Sequence, residues 1–271
     1  MTTDKTALIL AAFGTKHEQE EDFVAGMKAT LEKRCPGVDV FIAFTSKIAL
    51  ENRLQRGQGG NALAQLLSEL SGLGYAYVAV QSLHVAPGLE FDALKDITER
   101  FTGMPKGIRK TSVGYPLIYN DESAEKLANI LAESLPKARK KDEAVLFVGH
   151  GSHTPSGTLA YPALQAFLYQ NDPNLFVGTV EGMLTAKKIL EMVKSKGIKT
   201  VWLCPLLTFC GTHVRRDIFG GENSWQKLFE ENGITCALAE ETLLARPGAV
   251  AMWQDNAALA LFELSKNKKA E

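Results

Sequence analysis

Short apolar runs alternate with amphipathic stretches along almost the whole of this 271-residue chain. The runs are rich in Val, Ile, Leu and Phe without strict polar alternation, which is typical of strands covered on both faces of a sheet. We predict eight strands, at residues 7–12, 38–43, 75–80, 109–113, 144–148, 175–179, 200–204 and 234–238. Strands that alternate with helices favour parallel sheets with right-handed crossovers, so the predicted fold class is α/β.

The stretches between these runs carry apolar residues at helical spacing. In residues 21–33, for example, Phe23, Val24, Met27 and Leu31 fall on one helical face. The same pattern predicts helices at residues 62–70, 90–101, 123–135, 184–194 and 249–264.

Two pairs of segments in the chain resemble each other. Residues 7–16 match 144–153, and residues 74–83 match 197–206. We therefore predict two similar lobes, each a four-stranded parallel sheet flanked by helices, with the active-site cleft between them. The charged stretch 137–142 is placed as the boundary, which gives an N-terminal lobe of residues 1–138 and a C-terminal lobe of residues 139–271.

Charge and cysteine content exclude several classes of protein. Lys and Arg number 30 and Asp and Glu 31, so the net charge of −1 excludes a broad basic surface for nucleic acid. No apolar run reaches the roughly 18 residues of a membrane span. The four cysteines form no CxxC pair and no dense framework, which is typical of a reduced, cytoplasmic protein.

Three successive strands of the C-terminal half end at residues that could coordinate a metal. His150 follows the fifth strand between two glycines, Glu181 follows the sixth, and His213 follows the seventh. Neighbouring parallel strands lie about 4.8 Å apart, so these side chains can converge at one sheet edge. Two imidazoles and a carboxylate suit cobalt, nickel, iron or zinc better than magnesium. A single histidine after a strand is more often a helix cap or a core residue than a ligand, and the metal-site interpretation depends on three such residues at equivalent strand ends. His153 is interpreted as a supporting group rather than a ligand.

The N-terminal half carries different residues at the corresponding places. Phe13, Thr45 and Glu90 replace the three candidate ligands. Glu90 would accept protons or contact the far side of a substrate, or would be an acidic residue favouring the first turn of the predicted helix 90–101. His84 is interpreted mainly as a residue that fixes its loop.

Several short motifs occur in the order seen in one family of metal chelatases. They are Phe13-Gly-Thr15, Phe44-Thr-Ser46, Gln81-Ser-Leu-His84 followed by Pro87-Gly-x-Glu90-Phe91, Gly149-His-Gly151, Thr179-Val-Glu-Gly182 and Gly211-x-His213…Asp217. Together they resemble the anaerobic sirohydrochlorin cobaltochelatases, the class II chelatases of cobalamin biosynthesis, over nearly the whole chain. The resemblance implies two similar α/β lobes around a tetrapyrrole cleft.

The resemblance also implies roles for particular residues. His150 and His213 would be the catalytic histidines, and Glu181 would complete the metal site in the C-terminal lobe. Contacts with the substrate are expected from Phe13, Ser46, His84 and Glu90. The loop of His213 departs from the family pattern and carries Arg215 and Arg216, which would either bind substrate carboxylates or form a solvated charge pair.

The predicted reaction is insertion of a divalent metal into sirohydrochlorin or a precorrin-2 type tetrapyrrole. Co²⁺ is the expected substrate metal, with Ni²⁺, Fe²⁺ or Zn²⁺ as substitutes in vitro. A neutral imidazole can act both as ligand and as proton acceptor. No G-x-x-x-x-G-K-[ST] run occurs, so no nucleotide is expected. The net charge and the lack of a long apolar run likewise predict no nucleic-acid or membrane partner. The oligomeric state, including a homo-oligomer, is left open.

Two other functions use the same residues. A non-catalytic carrier of metal or tetrapyrrole would have the same two-lobed cleft. A metal-dependent hydrolase would activate water on the ion, but the tighter HExxH ligand motif is absent from the sequence.

Overall fold

The computed structural model describes residues 4–14, 18–57 and 59–268, and the side chains of residues 18, 212–214, 267 and 268 lie outside that description. The chain divides into two compact units. The first unit comprises Met1–His84, Glu90–Pro116 and Val250–Glu271, and the second comprises Val85–Leu89 and Leu117–Ala249.

The first unit contains a parallel sheet with strand order β3-β2-β1-β4-β5. Its elements are β1 Lys5–Ala12, α1 Glu18–Arg34, β2 Val38–Phe44, α2 Lys47–Gln55, β3 Asn61–Ala62, α3 Leu63–Gly72, β4 Tyr75–Ser82, α4 Leu89–Arg100 and β5 Lys110–Gly114. The sheet therefore has five strands where four were predicted. The additional strand, β3, is two residues long and carries no periodic pattern that a sequence could show.

The second unit contains a parallel sheet with strand order β7-β6-β8-β9. Its elements are α5 Asp121–Glu133, β6 Ala144–Gly149, α6 Pro155–Asn171, β7 Leu175–Thr179, α7 Ala186–Ser195, β8 Thr200–Pro205, α8 Thr212–Phe219, α9 Trp225–Glu231, β9 Thr235–Leu238 and a 3-10 helix Leu243–Ala245. The helix α10 Pro247–Lys268 follows and passes into the first unit at Val250. The predicted α/β class with two helix-flanked parallel sheets is confirmed.

Burial explains why the strands were recognisable. Residues 7–12 of β1, all of β4, all of β6 and all of β7 are buried. Helices cover both faces of such strands, so nearly every position is apolar. All eight predicted strands are present.

Four helices were not predicted: α2, α6, α8 and α9. The longest of them, α6, contains Pro162 in its interior and spreads its apolar residues around the axis. Its start is nonetheless well specified, because the Thr154 side chain accepts a hydrogen bond from Gly157 N–H and Pro155 occupies the first turn.

The compact units do not coincide with the predicted boundary at residues 138 and 139. Helix α5, which precedes that boundary, lies in the second unit and packs against α6. Helix α10 returns to the first unit, where Trp253 Nε1 donates to the carbonyl of His84 at 3.2 Å and Asn256 Nδ2 donates to the carbonyl of Tyr115 at 3.0 Å. Helical periodicity marks a buried face but does not specify which sheet covers it.

Among the residues that the structure describes, no helix combines the length and apolarity needed to cross a membrane.

The attachment of α10 to the first unit is testable through its buried indole. Trp253→Ala is expected to lower the free energy of unfolding by about 3–5 kcal/mol, because a fully buried side chain is lost and a cavity is left. Urea denaturation measures the change. Phe262→Ala on the same helix, where the ring is 54% exposed, is the matched control and should cost less than about 1 kcal/mol. Equal losses in the two variants would contradict this packing.

Candidate metal centre

The turn after β6 presents His150 to solvent on a tightly packed backbone. His150 itself is exposed, whereas Tyr161 of α6 is 5% exposed beneath the turn. A Cβ atom on Gly149 would lie 2.7 Å from Cε1 of Tyr161, so only glycine fits there. The Gly151 N–H donates to the Tyr161 phenol oxygen, and burial raises the pKa of that phenol to about 12. Contact with the buried Tyr161 thus fixes the backbone of this turn, while the His150 imidazole stays accessible to solvent.

The turn after β7 is joined to the His150 turn through the main chain. The N–H of Val180 donates to the carbonyl of Gly149 at 3.0 Å, and the N–H of Glu181 donates to the carbonyl of His150 at 2.8 Å. Gly151 has a φ of +91° and lies so close that an added Cβ would be 1.9 Å from the Glu181 carbonyl oxygen. The backbones that carry His150 and Glu181 are therefore adjacent, as strand order predicted.

The Glu181 carboxylate has a partner that the sequence did not identify. His153 Nε2 lies 3.3 Å from Glu181 Oε2, with side-chain exposures of 69% and 43%. Glu181 also lines a small depression that is open to solvent. Its lining is rich in hydroxyl groups and comprises Ser152, Thr158, Tyr161, Pro162, Thr179, Glu181, Gly182, Met183 and Leu184.

His213 occupies the second position of α8, after its N-terminal cap Gly211. Its side chain lies outside the described ones. Among the side chains that are described, no group of three or more His, Cys, Asp or Glu is arranged to hold a metal. The structure thus brings two of the three predicted ligands onto adjacent backbone, and the position of the third imidazole stays a prediction.

The two arginines of this loop each have an acidic neighbour within the second unit. Arg215 Nη1 forms an ion pair with Glu240, and Arg216 Nε lies 3.7 Å from Asp217. All four side chains are exposed, which fits the interpretation as solvated charge pairs.

In the first unit, His84 is held by three groups. Its Nδ1 is 2.7 Å from the Ser82 hydroxyl, its Nε2 is 3.3 Å from Glu90 Oε2, and its carbonyl accepts from Trp253. The imidazole is 17% exposed and the Glu90 carboxylate 51%. The contacts match the loop-fixing interpretation of His84, and they also orient Glu90 at the start of α4.

The other two expected substrate contacts lie at the start of α2. Phe13 follows β1 and is 46% exposed. Ser46 is the N-cap of α2: its hydroxyl accepts a hydrogen bond from Ala49 N–H at 3.2 Å, and its own N–H donates to the carbonyl of Phe13. The Ser46 hydroxyl therefore has a local structural role that explains its presence without a ligand.

Sequence reasoning missed two residues of this region. Tyr161 lies in an unrecognised helix, and its contact with the glycines of the His150 turn has no local signature. His153 was noticed for its closeness to His150, whereas the structure pairs it with Glu181. A lone histidine in a polar turn does not show which carboxylate it faces.

The close approach of Gly151 to the Glu181 carbonyl can be tested by adding one methyl group at residue 151. Gly151→Ala is expected to lower the free energy of unfolding by at least about 2 kcal/mol, because both the positive φ and the Glu181 carbonyl oppose a Cβ. Thermal or urea denaturation measures this. Gly197→Ala is the control: its φ is +68° and its Cβ would meet nothing within 4 Å, so only the backbone cost of about 1 kcal/mol should appear. Identical losses would show that the Glu181 contact is unimportant.

The raised pKa of the buried Tyr161 phenol predicts that its contribution to folding stability depends on pH. At pH 7, Tyr161→Phe is expected to destabilise the protein by about 1 kcal/mol, because Gly151 N–H loses its acceptor. The pKa of the phenol is about 12 in the folded protein against an ordinary 10.0. The parent's stabilisation by neutral Tyr161 is therefore complete below pH 10 and is lost as the pH rises toward 12. Urea denaturation across that range should show the difference between parent and variant shrinking; a constant difference would contradict the assignment.

Comparison with known proteins assigns the chain to a family. The family described as Cobalt chelatase (CbiK) matches residues 6–256. A protein of Nitratidesulfovibrio vulgaris called sirohydrochlorin cobaltochelatase CbiKC is 34% identical over 261 residues, which is 96% of this chain and 92% of that protein. The sirohydrochlorin cobaltochelatase of Salmonella typhimurium is 30% identical, over 85% of this chain and 86% of its own length.

The fold has solved counterparts as well. SirB from Bacillus subtilis, solved with Fe³⁺, aligns over 98% of each chain with a TM-score of 0.63 at 13% identity. At this identity the likeness concerns the fold alone. The sequence matches span almost the entire length of the chain, and from them we conclude that this protein belongs to the CbiK family of cobalt chelatases.

Proposed function

We propose that this protein inserts Co²⁺ into sirohydrochlorin. The observation that carries this proposal is the 34% identity with a sirohydrochlorin cobaltochelatase over 96% of this chain. The site geometry supports it, since the exposed His150 and the Glu181 backbone are hydrogen-bonded neighbours after two adjacent parallel strands. The cation is a substrate here, so the residues must bind it and then release it.

His150, His213 and Glu181 are the proposed metal-binding groups. Two neutral imidazoles and a carboxylate occupy one side of a first-row dication and leave its other positions to water or to the tetrapyrrole. The negative carboxylate lowers the electrostatic cost of bringing a dication to the protein surface. Few protein ligands also keep the affinity low enough for release.

Insertion requires the loss of two protons. The free macrocycle carries two N–H groups; four ring nitrogens bind Co²⁺ once both N–H bonds break, and two H⁺ leave. An imidazole is a suitable acceptor because its pKa lies near physiological pH. We assign proton acceptance to His150 and His213 as each is released from the metal. The insertion reaction is balanced in atoms and charge without a nucleotide or a redox partner.

Substrate contacts are proposed from the first unit. The exposed ring of Phe13 offers an apolar face to the flat macrocycle. Glu90, oriented by His84, offers a carboxylate for the ring N–H groups or for their protons. Ser46 stays a predicted contact, although its hydroxyl already caps α2. Four further features stay predictions. They are the substitution of Co²⁺ by Ni²⁺, Fe²⁺ or Zn²⁺, a precorrin-2 type substrate, a cytoplasmic location and a homo-oligomer.

Anaerobic mixing of the protein, sirohydrochlorin and excess Co²⁺, followed by absorbance, tests the proposal. The parent should turn over many equivalents, and His150→Ala and His213→Ala should insert cobalt about 10²-fold more slowly, since each loses a ligand and a base. Glu181→Gln should also be slow, whereas Glu191→Gln, which removes an exposed carboxylate on α7, is the matched control. Far-UV circular dichroism checks that every variant is folded.

Two outcomes would overturn the proposal. Histidine variants that insert cobalt as fast as the parent would remove the site assignment. Stoichiometric binding of metal or tetrapyrrole without turnover would favour the carrier function instead.

A further inference from the structure

His153 and Glu181, which we name the capture pair, are two donor groups on the open surface of the second unit. The Nε2 and Oε2 atoms are 3.3 Å apart, and neither side chain is buried. Exposed ion pairs of this kind contribute little to folding. The chain therefore holds an imidazole and a carboxylate face to face where their contact has no evident structural purpose.

The backbone on both sides of the capture pair is fixed. Ser152 and Thr154 flank His153, and their hydroxyl oxygens lie 3.1 Å apart. The Ser152 hydroxyl also accepts a hydrogen bond from the Thr154 N–H at 3.2 Å. Glu181 is tied through its own N–H to the carbonyl of His150. Both side chains therefore start from fixed anchor points, which lowers the entropy cost of binding one ion between them.

The distance between the two donors matches the spacing of ligands around a first-row dication. Imidazole nitrogen and carboxylate oxygen bind such ions at about 2.0–2.2 Å, and two tetrahedral ligands at that length lie roughly 3.3–3.5 Å apart. The 3.3 Å of the capture pair falls at this spacing. An ion could enter without a change in the separation of the two atoms.

We propose that the capture pair is a loading site, at which a hydrated Co²⁺ or similar dication first binds before it reaches His150 and His213. The proposal rests on the function proposed above. Two water ligands leave the ion as Nε2 of His153 and Oε2 of Glu181 bind it. The proton that Nε2 carries in its contact with Glu181 passes to solvent, and the remaining ring proton stays on Nδ1. Exchange of His153 for His150 then passes the ion on while the Glu181 carboxylate stays bound throughout. His153 is thus a transient ligand, distinct from the residues that act during insertion.

A cysteine substitution reports directly on metal contact at residue 153. In His153→Cys, added Co²⁺ should produce a thiolate-to-cobalt charge-transfer band beyond the background of the parent, whose four cysteines are the baseline. The band should weaken strongly in His153→Cys combined with Glu181→Gln and persist with Glu191→Gln. A His153→Cys spectrum identical to that of the parent, in a variant that is folded by circular dichroism, would overturn the loading site.

The cobalt dependence of insertion tests whether the pair lies on the route of the metal. His153→Gln keeps a polar side chain with an N–H donor at this position but is a poor ligand. It should raise the half-saturating Co²⁺ concentration about tenfold, with a much smaller change in the rate at saturating Co²⁺; His153→Cys should partly restore the parent value. An unchanged Co²⁺ dependence in His153→Gln would overturn the loading role, even if the cysteine band is present.

The two proposals fail in different ways. A parent protein that inserts no cobalt contradicts the proposed function, whereas the cysteine band still reports on metal binding by the capture pair. A parent that inserts cobalt normally, with His153→Gln behaving identically, leaves the function in place and removes only the loading site.

Discussion

The hydrogen bond from the Glu181 N–H to the carbonyl of His150 is the contact on which the candidate site depends. It joins the turns after β6 and β7, which are neighbouring strands paired at Gly149 and Thr179. Gly151 makes the junction possible, because any side chain there would meet the Glu181 carbonyl. The side chains of both candidate ligands, His150 and Glu181, are exposed, so the order of the site comes from the main chain beneath them. Loops on a rigid parallel sheet are the usual place for such chemistry.

Most of the fold follows from the sequence because the central strands are buried on both faces. Six consecutive buried residues in β1 or β6 leave a short apolar run without the three- to four-residue spacing of an amphipathic helix. Two elements lack such a recognisable pattern: β3 has two residues, and α6 carries Pro162 in its interior with apolar residues spread around its axis. The membership of α5 and α10 in their units depends on tertiary contacts such as that of Trp253 with His84, which no local pattern encodes.

The sequence predicts only part of the candidate site, because some of its contacts depend on tertiary folding that no local pattern encodes. Strand order places His150 and Glu181 at one sheet edge, because residues that end adjacent parallel strands are necessarily neighbours. The pairing of His153 with Glu181 depends instead on how a turn folds back, and the support from Tyr161 depends on a helix that the sequence conceals. Ser46 shows a different limit of sequence reasoning. Its place in a motif predicts a ligand contact, and the structure adds that its hydroxyl caps α2, a role that the motif does not reveal.

The exposure of the proposed ligands suits a metal that is cargo. A structural metal site surrounds its ion with four protein ligands and contributes folding energy, so that release is slow. Here the rigidity comes from backbone hydrogen bonds and glycine contacts that need no metal, and the side chains remain accessible to solvent. A protein built in this way can bind and release a dication without refolding. Imidazole and carboxylate ligands accept several first-row ions, so the ligand types of the proposed site would not by themselves discriminate among metals.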